Sequence, residues 1–253
     1  MNFKINGYQN EYNFVNYLNN KKVKELHPLF KDCFEKIFEN INDEDNINAW
    51  KNSLPQKADI FVKIKNEQKG ISLKMGSKNS VHVSPISDFI SFLIRNGVRQ
   101  EIIIEYLKYH YADGTTNGTG KIRQTVEEYK TSNQNKIDLI NESINKETIL
   151  RKAIDKFILV GDNGNKSIDL LIYGTTNDFL WFTKEEIINT VIEKKHTYST
   201  GVHFACLSCQ PLTRCINRNP LYDRKRFCVQ IKWFSLFDDI IEKRSNHFTY
   251  LEK

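Results

Sequence analysis

The chain lacks an apolar run long enough to cross a membrane, and its first residues lack the apolar core of a signal peptide. A cytoplasmic protein is therefore expected. Cysteine is sparse, with five in 253 residues. Four of these, Cys206, Cys209, Cys215 and Cys228, lie near His203 and include a CxxC, but their spacing is uneven. Residues 202–212 read as one continuous strand, which would put Cys206 and Cys209 on opposite faces. Zinc needs converging ligands, so reduced thiols acting as small apolar side chains are expected, with a structural zinc as the lesser alternative. The glycine-rich stretch 113–120 lacks the Gly-Lys-Ser/Thr ending of a phosphate-binding loop and reads as a flexible connector between helices. Internal repeats and disordered linkers are also missing.

What is present suits one large domain. Hydrophobic residues make up 40% of the chain, enough for a substantial core. The net charge of +6 says little by itself, but its distribution is informative. Residues 214–226 hold five cations, Arg214, Arg218, Arg224, Lys225 and Arg226, against one acid, Asp223. Asn217 and Asn219 within it are suited to adenine, and the arginines to guanine. The segment lies between two expected strands, 202–212 and 227–234, as a hairpin able to enter a DNA groove; the alternative is a solvated loop. On the second strand, Gln230 and Lys232 are read as DNA-facing. With Asp223 they form an Asp…Gln-x-Lys series, but that aspartate sits inside a cationic loop.

Two stretches near residue 60 carry the strongest chemical signal. Residues 57–64 and 69–76 alternate with period two and are joined by a polar turn, which predicts a hairpin. Ile60, Val62 and Ile64 share one face of the first strand, with Asp59 opening the other. Ile71, Leu73 and Met75 line one face of the second, leaving Ser72 and Lys74 together on the other, roughly 6.5–7 Å apart. A carboxylate, a hydroxyl and an ammonium would meet at the sheet edge, a setting for a divalent cation and water activation against a phosphodiester. The alternative is a solvated hairpin face. Residues 7–18 read as a helix in which Tyr8, Tyr12, Val15 and Leu18 form a stripe containing Glu11. After Lys74 comes a polar segment running to His82. Asn79 and His82 there are suited to phosphate contact, with metal ligation or proton transfer as further roles for His82 and an ordinary polar loop as the alternative.

Further along, helices are expected over about 84–96 and 99–112, then several exposed polar helices over 121–157. Strands follow at 168–173 and 179–182. Thr183 to Glu186 opens another helix with a capping-box pattern. An N-terminal half of about 1–112 is read as catalytic, and 113–253 as a helical insertion followed by a β-rich recognition region.

This order, a helix with a glutamate, a strand with an aspartate, then a strand with x-x-Lys, resembles the PD-(D/E)XK nuclease superfamily, and most closely its small type II restriction endonucleases. The resemblance covers about the first hundred residues. It departs from the pattern in two places: Ala58 stands where the family has proline, and Ser72 where it has an acid, although some small restriction enzymes are neutral there. The resemblance implies an α/β fold with a central mixed sheet flanked by helices, and Mg²⁺-dependent, site-specific cleavage of double-stranded DNA. It also implies that Asp59, Glu11 and the Leu73 carbonyl hold the metal, that Ser72 fills the second acidic position, and that Lys74 acts on the attacking water. A homodimer on a palindromic site and a companion DNA methyltransferase would go with a restriction role. A repair or junction-cleaving nuclease, or a DNA-binding protein with a merely structural hairpin, are the rival readings.

The basic segment carries a prediction of its own. Arg218→Ala should reduce discrimination between cognate and random duplexes by about 1–3 kcal/mol. Arg224→Ala should weaken both alike and lower the salt slope by roughly one. Binding measured over a salt series with Ca²⁺ in place of Mg²⁺ separates the two effects, and unchanged affinities would move recognition elsewhere.

Overall fold

The computed structural model describes residues 6–76, 79–162, 164, 166–195, 201–212 and 225–251. In chain order the elements are α1 (Gly7–Leu18), α2 (Pro28–Ile37), β1 (Ile47–Lys51), β2 (Ile60–Ile64), β3 (Glu67–Lys74), β4 (Ser80–Pro85) and α3 (Ile86–Arg95). Then come α4 (Gln100–Tyr111), α5 (Val126–Ile144) and α6 (Glu147–Ile154), followed by a π-helical turn at Asp155–Val160. The remainder is β5 (Leu170–Thr175), β6 (Asp178–Thr183), α7 (Lys184–Glu193), β7 (His203–Phe204), β8 (Leu207–Pro211), β9 (Cys228–Trp233) and α8 (Leu236–Leu251).

These elements fold into two compact units between which the chain passes four times. The first takes residues 1–79, 158–190 and 235–253, and the second takes 80–157 and 191–234. The units therefore do not divide the chain at residue 112, because strands and helices from its last third complete the unit that holds the hairpin.

The first unit is built on a five-stranded sheet in the order β1-β2-β3-β5-β6. β1, β2 and β3 form an antiparallel meander, with Ile60 opposite Ile71. β5 lies parallel to β3, with Ile71 opposite Leu170 and Lys74 opposite Tyr173, and β6 returns antiparallel. The hairpin forms because the apolar residues at alternate positions share one buried face. Ile60, Val62, Ile64 and Ile71 are at most 1% exposed, and Leu73 packs on the same cluster. α1 and α2 supply the other side of that core. Asn6 caps α1 by accepting the Gln9 N–H, and Pro28 opens α2 where a missing N–H costs nothing. Phe30 sits at the centre, stacked on Tyr17 and tilted against Phe179 with ring centroids 4.8 and 4.6 Å away.

The second unit carries a four-stranded antiparallel sheet, β4-β9-β8-β7. Val229, Ile231 and Trp233 point into its core, alternating with Cys228, Gln230 and Lys232 on the other face. Two sequence expectations are corrected here. Residues 202–212 are not one strand: a turn at Ala205 and Cys206 breaks them into β7 and β8, with Ala205 at a φ of 48°. The helices of 121–157 do not stand out as exposed elements, since Ile137, Ile140 and Ile144 of α5 and Leu150, Ala153 and Ile154 of α6 are buried. A polar sequence average hid an apolar face on each helix. Two asparagines also hold α5 to β7: buried Asn141 accepts the His203 N–H at 3.0 Å, and half-buried Asn145 donates to the His203 carbonyl at 2.8 Å.

Truncating Phe30 tests the aromatic core of the first unit. Phe30→Ala should cost about 3–5 kcal/mol, the range for emptying a fully buried aromatic site. Denaturant unfolding monitored by circular dichroism reads this, and a loss below about 1 kcal/mol would show that the site collapses without penalty.

Candidate active site

Asp59 stands one residue before β2, yet its N–H donates to the Ile71 carbonyl at 2.9 Å, so the ladder runs on past the strand end. Alternation then turns its side chain away from the apolar core and beside Ser72. One carboxylate oxygen, Oδ2, accepts both the Ser72 hydroxyl at 3.1 Å and the Leu73 N–H at 2.6 Å. Ser72 is 2% exposed, while Asp59 and Lys74 are half-buried. Lys74 follows two residues along the same strand face. The structure thus brings Asp59 and Ser72 into direct contact and sets Lys74 beside them.

This group lies at the carboxyl end of β3 and β5, the parallel pair of the sheet. Open α/β sheets collect ligands outside such strand ends. Tyr173, opposite Lys74, donates its hydroxyl to the Gly76 carbonyl at 2.5 Å and so ties down the chain just after the lysine.

Glu11 is placed differently from the expected pattern. The buried residues of α1 are Asn10, Phe14 and Leu18, whereas Tyr8 and Tyr12 are 60% and 39% exposed. The stripe is rotated because Asn10, though polar, is accommodated inside, its amide donating to the Gly174 carbonyl at 3.0 Å. Glu11 is half-buried and forms an ion pair with Lys51 at 2.6 Å. Lys51 stands opposite Ile60 and therefore on the α1 face, whereas Asp59 points to the other. The Lys51 ammonium also lies 3.3 Å from the Tyr8 ring centroid. Desolvation works against this ammonium, but the Glu11 carboxylate and the two tyrosines outweigh it and hold its pKa above the ordinary lysine value.

The proposed DNA-contacting residues distribute unevenly. His82 is in β4 opposite Ile231, its ring 5.3 Å from Phe157, and not in a polar loop. The segment becomes strand because β9 offers it a partner that local polarity does not reveal. Asn79 lies just before β4, half-buried. Gln230 and Lys232 occupy the polar face of β9, with Lys232 5.4 Å from the Phe234 ring. Lys225 is exposed. Arg226 donates to the Gly120 carbonyl at 3.2 Å and stands 3.7 Å from the Asp113 carboxylate. That carboxylate also accepts the Thr115 and Gly120 N–H groups, so the stretch 113–120 is a closed turn and not a slack connector. Arg214, Asn217, Arg218, Asn219, Asp223 and Arg224 lie outside the described residues, as does Cys215. Burial pushes the Cys209 thiol well above its ordinary pKa and pulls that of His203 down, which keeps both neutral.

Sequence reasoning missed β1 with its Lys51 and Trp50, the inward Asn10, and Tyr173. A signal for β1 was available, since Ile47 and Ala49 alternate with Asn48 and Trp50. None marked Tyr173, whose place depends on a pairing about a hundred residues distant.

The donor chemistry at Asp59 fits a hard divalent cation. One carboxylate, a serine hydroxyl and a main-chain carbonyl at Leu73 are oxygen donors, and Mg²⁺ commonly takes one or two carboxylates and completes its shell with water. Among the described residues no three His, Cys, Asp or Glu side chains converge on a metal position. The residues that would hold Mg²⁺ are Asp59 and the Leu73 carbonyl, with Glu11 engaged by Lys51.

The fold belongs to the restriction-endonuclease-like class, a central mixed sheet flanked by helices. The solved structure of the restriction endonuclease MspI in complex with its cognate DNA matches it with a TM-score of 0.56 at 11% sequence identity, covering 89% of this chain and 91% of that one. No protein-family model matches the chain, and no curated protein sequence does. No helix among the described residues is long and apolar enough to cross a membrane.

The double acceptance by Asp59 should be visible in stability. Asp59→Ala strands the Leu73 N–H and the buried Ser72 hydroxyl and should cost about 1.5–3 kcal/mol, the range for hydrogen bonds to a charged group. Asp59→Asn keeps an acceptor oxygen and should cost clearly less. Urea midpoints at constant slope measure both, and equal losses would mean that the two hydrogen bonds carry no weight.

Proposed function

We propose that the protein is a sequence-specific endonuclease of the PD-(D/E)XK type acting on double-stranded DNA, a type II restriction enzyme using Mg²⁺. The observation that carries this reading is the Asp59 carboxylate fixed by Ser72 and the Leu73 N–H, with Lys74 on the same strand face, at the carboxyl end of the parallel strand pair. Fold likeness to an enzyme solved on its cognate DNA supports the substrate class.

In this reading Mg²⁺, when bound, supplies positive charge against the scissile phosphate and lowers the pKa of attacking water. The protein's own part is positional. Ser72 and Leu73 hold one oxygen of Asp59, and the metal would take the other. Lys74 orients the attacking water, takes up its proton or offsets charge growing on the phosphorane oxygens. With Ser72 neutral, one metal is easier to hold than two. Gln230, Lys232, Lys225 and the basic segment supply recognition, along with Asn79 and His82. Two copies of the chain on a palindromic site, a cytoplasmic location and a companion methyltransferase complete the proposal.

A second reading, a DNA-binding protein without catalysis, is favoured by the single carboxylate at the site. Plasmid DNA incubated with the protein and Mg²⁺ separates the two: discrete fragments with defined ends are expected, and intact DNA would favour the binder. A junction or repair nuclease would instead nick branched or damaged substrates. Asp59→Ala and Lys74→Ala should each abolish cleavage while leaving specific binding in Ca²⁺ nearly intact, since both act on the transition state. Ser72→Asp should keep activity or tighten Mg²⁺ binding, because a carboxylate is the stronger ligand for a hard cation. Cleavage by either alanine variant at the wild-type rate would place the chemistry elsewhere.

A further inference from the structure

The face of the sheet that carries Asp59 has an aromatic surface that the cleavage chemistry does not use. Trp50 of β1 stands opposite Phe61 of β2, with ring centroids 5.9 Å apart. Phe61 is two residues from Asp59, roughly 6.5–7 Å along the strand, and points to the same face. Opposite Phe61 on β3 is Gly70, where an added Cβ would come within 3.4 Å of the Phe61 ring and 3.1 Å of Ala58. A side chain at 70 would press mainly on Ala58, so the buried glycine lets Ala58 and the Phe61 ring pack closely over β3. Trp181 and Trp233 are 2% and 0% exposed, whereas Trp50 is 38% exposed. The neighbours sharing its face are uncharged or cationic: Asn48 and Gln68 are exposed and Lys63 is half-buried. Apart from Asp59, the described residues of β1, β2 and β3 put no carboxylate on this face.

An exposed indole beside a lysine, on the face of a candidate phosphodiester site, has the chemistry of a stacking platform for nucleobases. Each base has a π-face, and a cation alongside meets the phosphate backbone. We propose that Trp50 and Phe61 form a shelf on which a base of the cleaved strand stacks after leaving the duplex, close to the scissile phosphate, with Lys63 against the backbone. The proposal rests on the nuclease reading. It adds that the preferred substrate has, or acquires, an unstacked base at the cleavage point. Unstacking is least costly where a base is already unpaired, so the shelf favours duplexes with one unpaired base, and single strands, over fully paired DNA of the same sequence.

The test uses the full chain with Ca²⁺ to prevent cutting. Three probes of one sequence are compared: a paired duplex, a duplex with one unpaired base, and the single strand. Wild type should bind the latter two more tightly than the paired duplex, with quenching of the exposed tryptophan emission. Trp50→Ala should lose about 5- to 150-fold in affinity for them, the worth of one base–aromatic stack, and should keep its affinity for the paired duplex. Trp50→Phe should restore most of the loss, and circular dichroism should show both variants folded. If wild type binds DNA and Trp50→Ala binds each of the three probes as tightly as wild type does, the shelf is overturned and the nuclease reading stands. If wild type binds none of the probes, both fall. If emission changes follow protein concentration instead of added DNA, the surface is a contact between copies of the chain, and the proposal is also overturned.

Discussion

The parallel pairing of β3 with β5 is the constraint from which the site follows. Parallel neighbours cannot be joined by a tight turn, so the chain must make a long crossover between them. Here the crossover begins after Lys74 and returns at Leu170, and residues 80–157 within it build most of the second unit. The start of the pairing is clamped from both sides: Gly70 donates to the Asp169 carboxylate and Asp169 donates to the Gly70 carbonyl, each at 2.8 Å. From there the register places Tyr173 opposite Lys74, and Gly174 next to it under the Asn10 amide. The carboxyl ends of two strands, the amino end of β2 and the first turns of α1 thereby arrive at one end of one sheet.

Within that arrangement, Ser72 has a particular role. A buried acid at its position would face the Asp59 carboxylate across a hydrogen-bonded strand pair, and two like charges so close disfavour each other. A hydroxyl instead donates to Asp59 and is satisfied by it, so the pair is stable without a cation between them. The consequence for the proposed chemistry is a cation held by less negative charge, since affinity of hard-cation sites rises with the number of charged ligands. Glu11 does not make up the difference as it stands, because Lys51 already neutralises it.

The hairpin was legible because its two strands obey a period-two pattern with one buried face, which sets register and the placement of Asp59 and Ser72 together. Lys74 follows from the same alternation. α1 was legible in its extent but not its orientation: Asn10 is buried by a bond to a carbonyl 164 residues away, and no helical wheel counts asparagine as core. The α2 stripe of Phe30, Cys33, Phe34 and Ile37 has helical spacing and was open to detection. The strand identity of His82 was not, since β4 exists through β9, about 150 residues later. Nonlocal pairing, more than propensity, separates the parts that could be read from those that could not.

The same distinction bears on recognition. Leu212, just before the basic segment, and Arg226, at its end, are both held in the second unit. Leu212 donates to the Cys228 carbonyl at 3.1 Å, closing the base of the β8–β9 connection. Arg123, 4% exposed, donates to the Leu212 carbonyl at 3.4 Å and to the Tyr111 and His110 carbonyls at 2.8 Å each. On the other side, His110 bonds the Arg226 carbonyl at 2.9 Å while the Arg226 side chain reaches the Asp113 turn. One arginine of the cationic series thus serves as an anchor, and a buried arginine from another part of the chain fixes the opposite end. Charge counted along the sequence treats all five cations alike. The fold separates Arg226, half-buried and turned toward the Asp113 carboxylate, from Lys225, which is exposed. Under the proposed function, the anchors at Leu212 and Arg226 fix where the β8–β9 connection joins the second unit, so geometry at these two points adds to what net charge supplies.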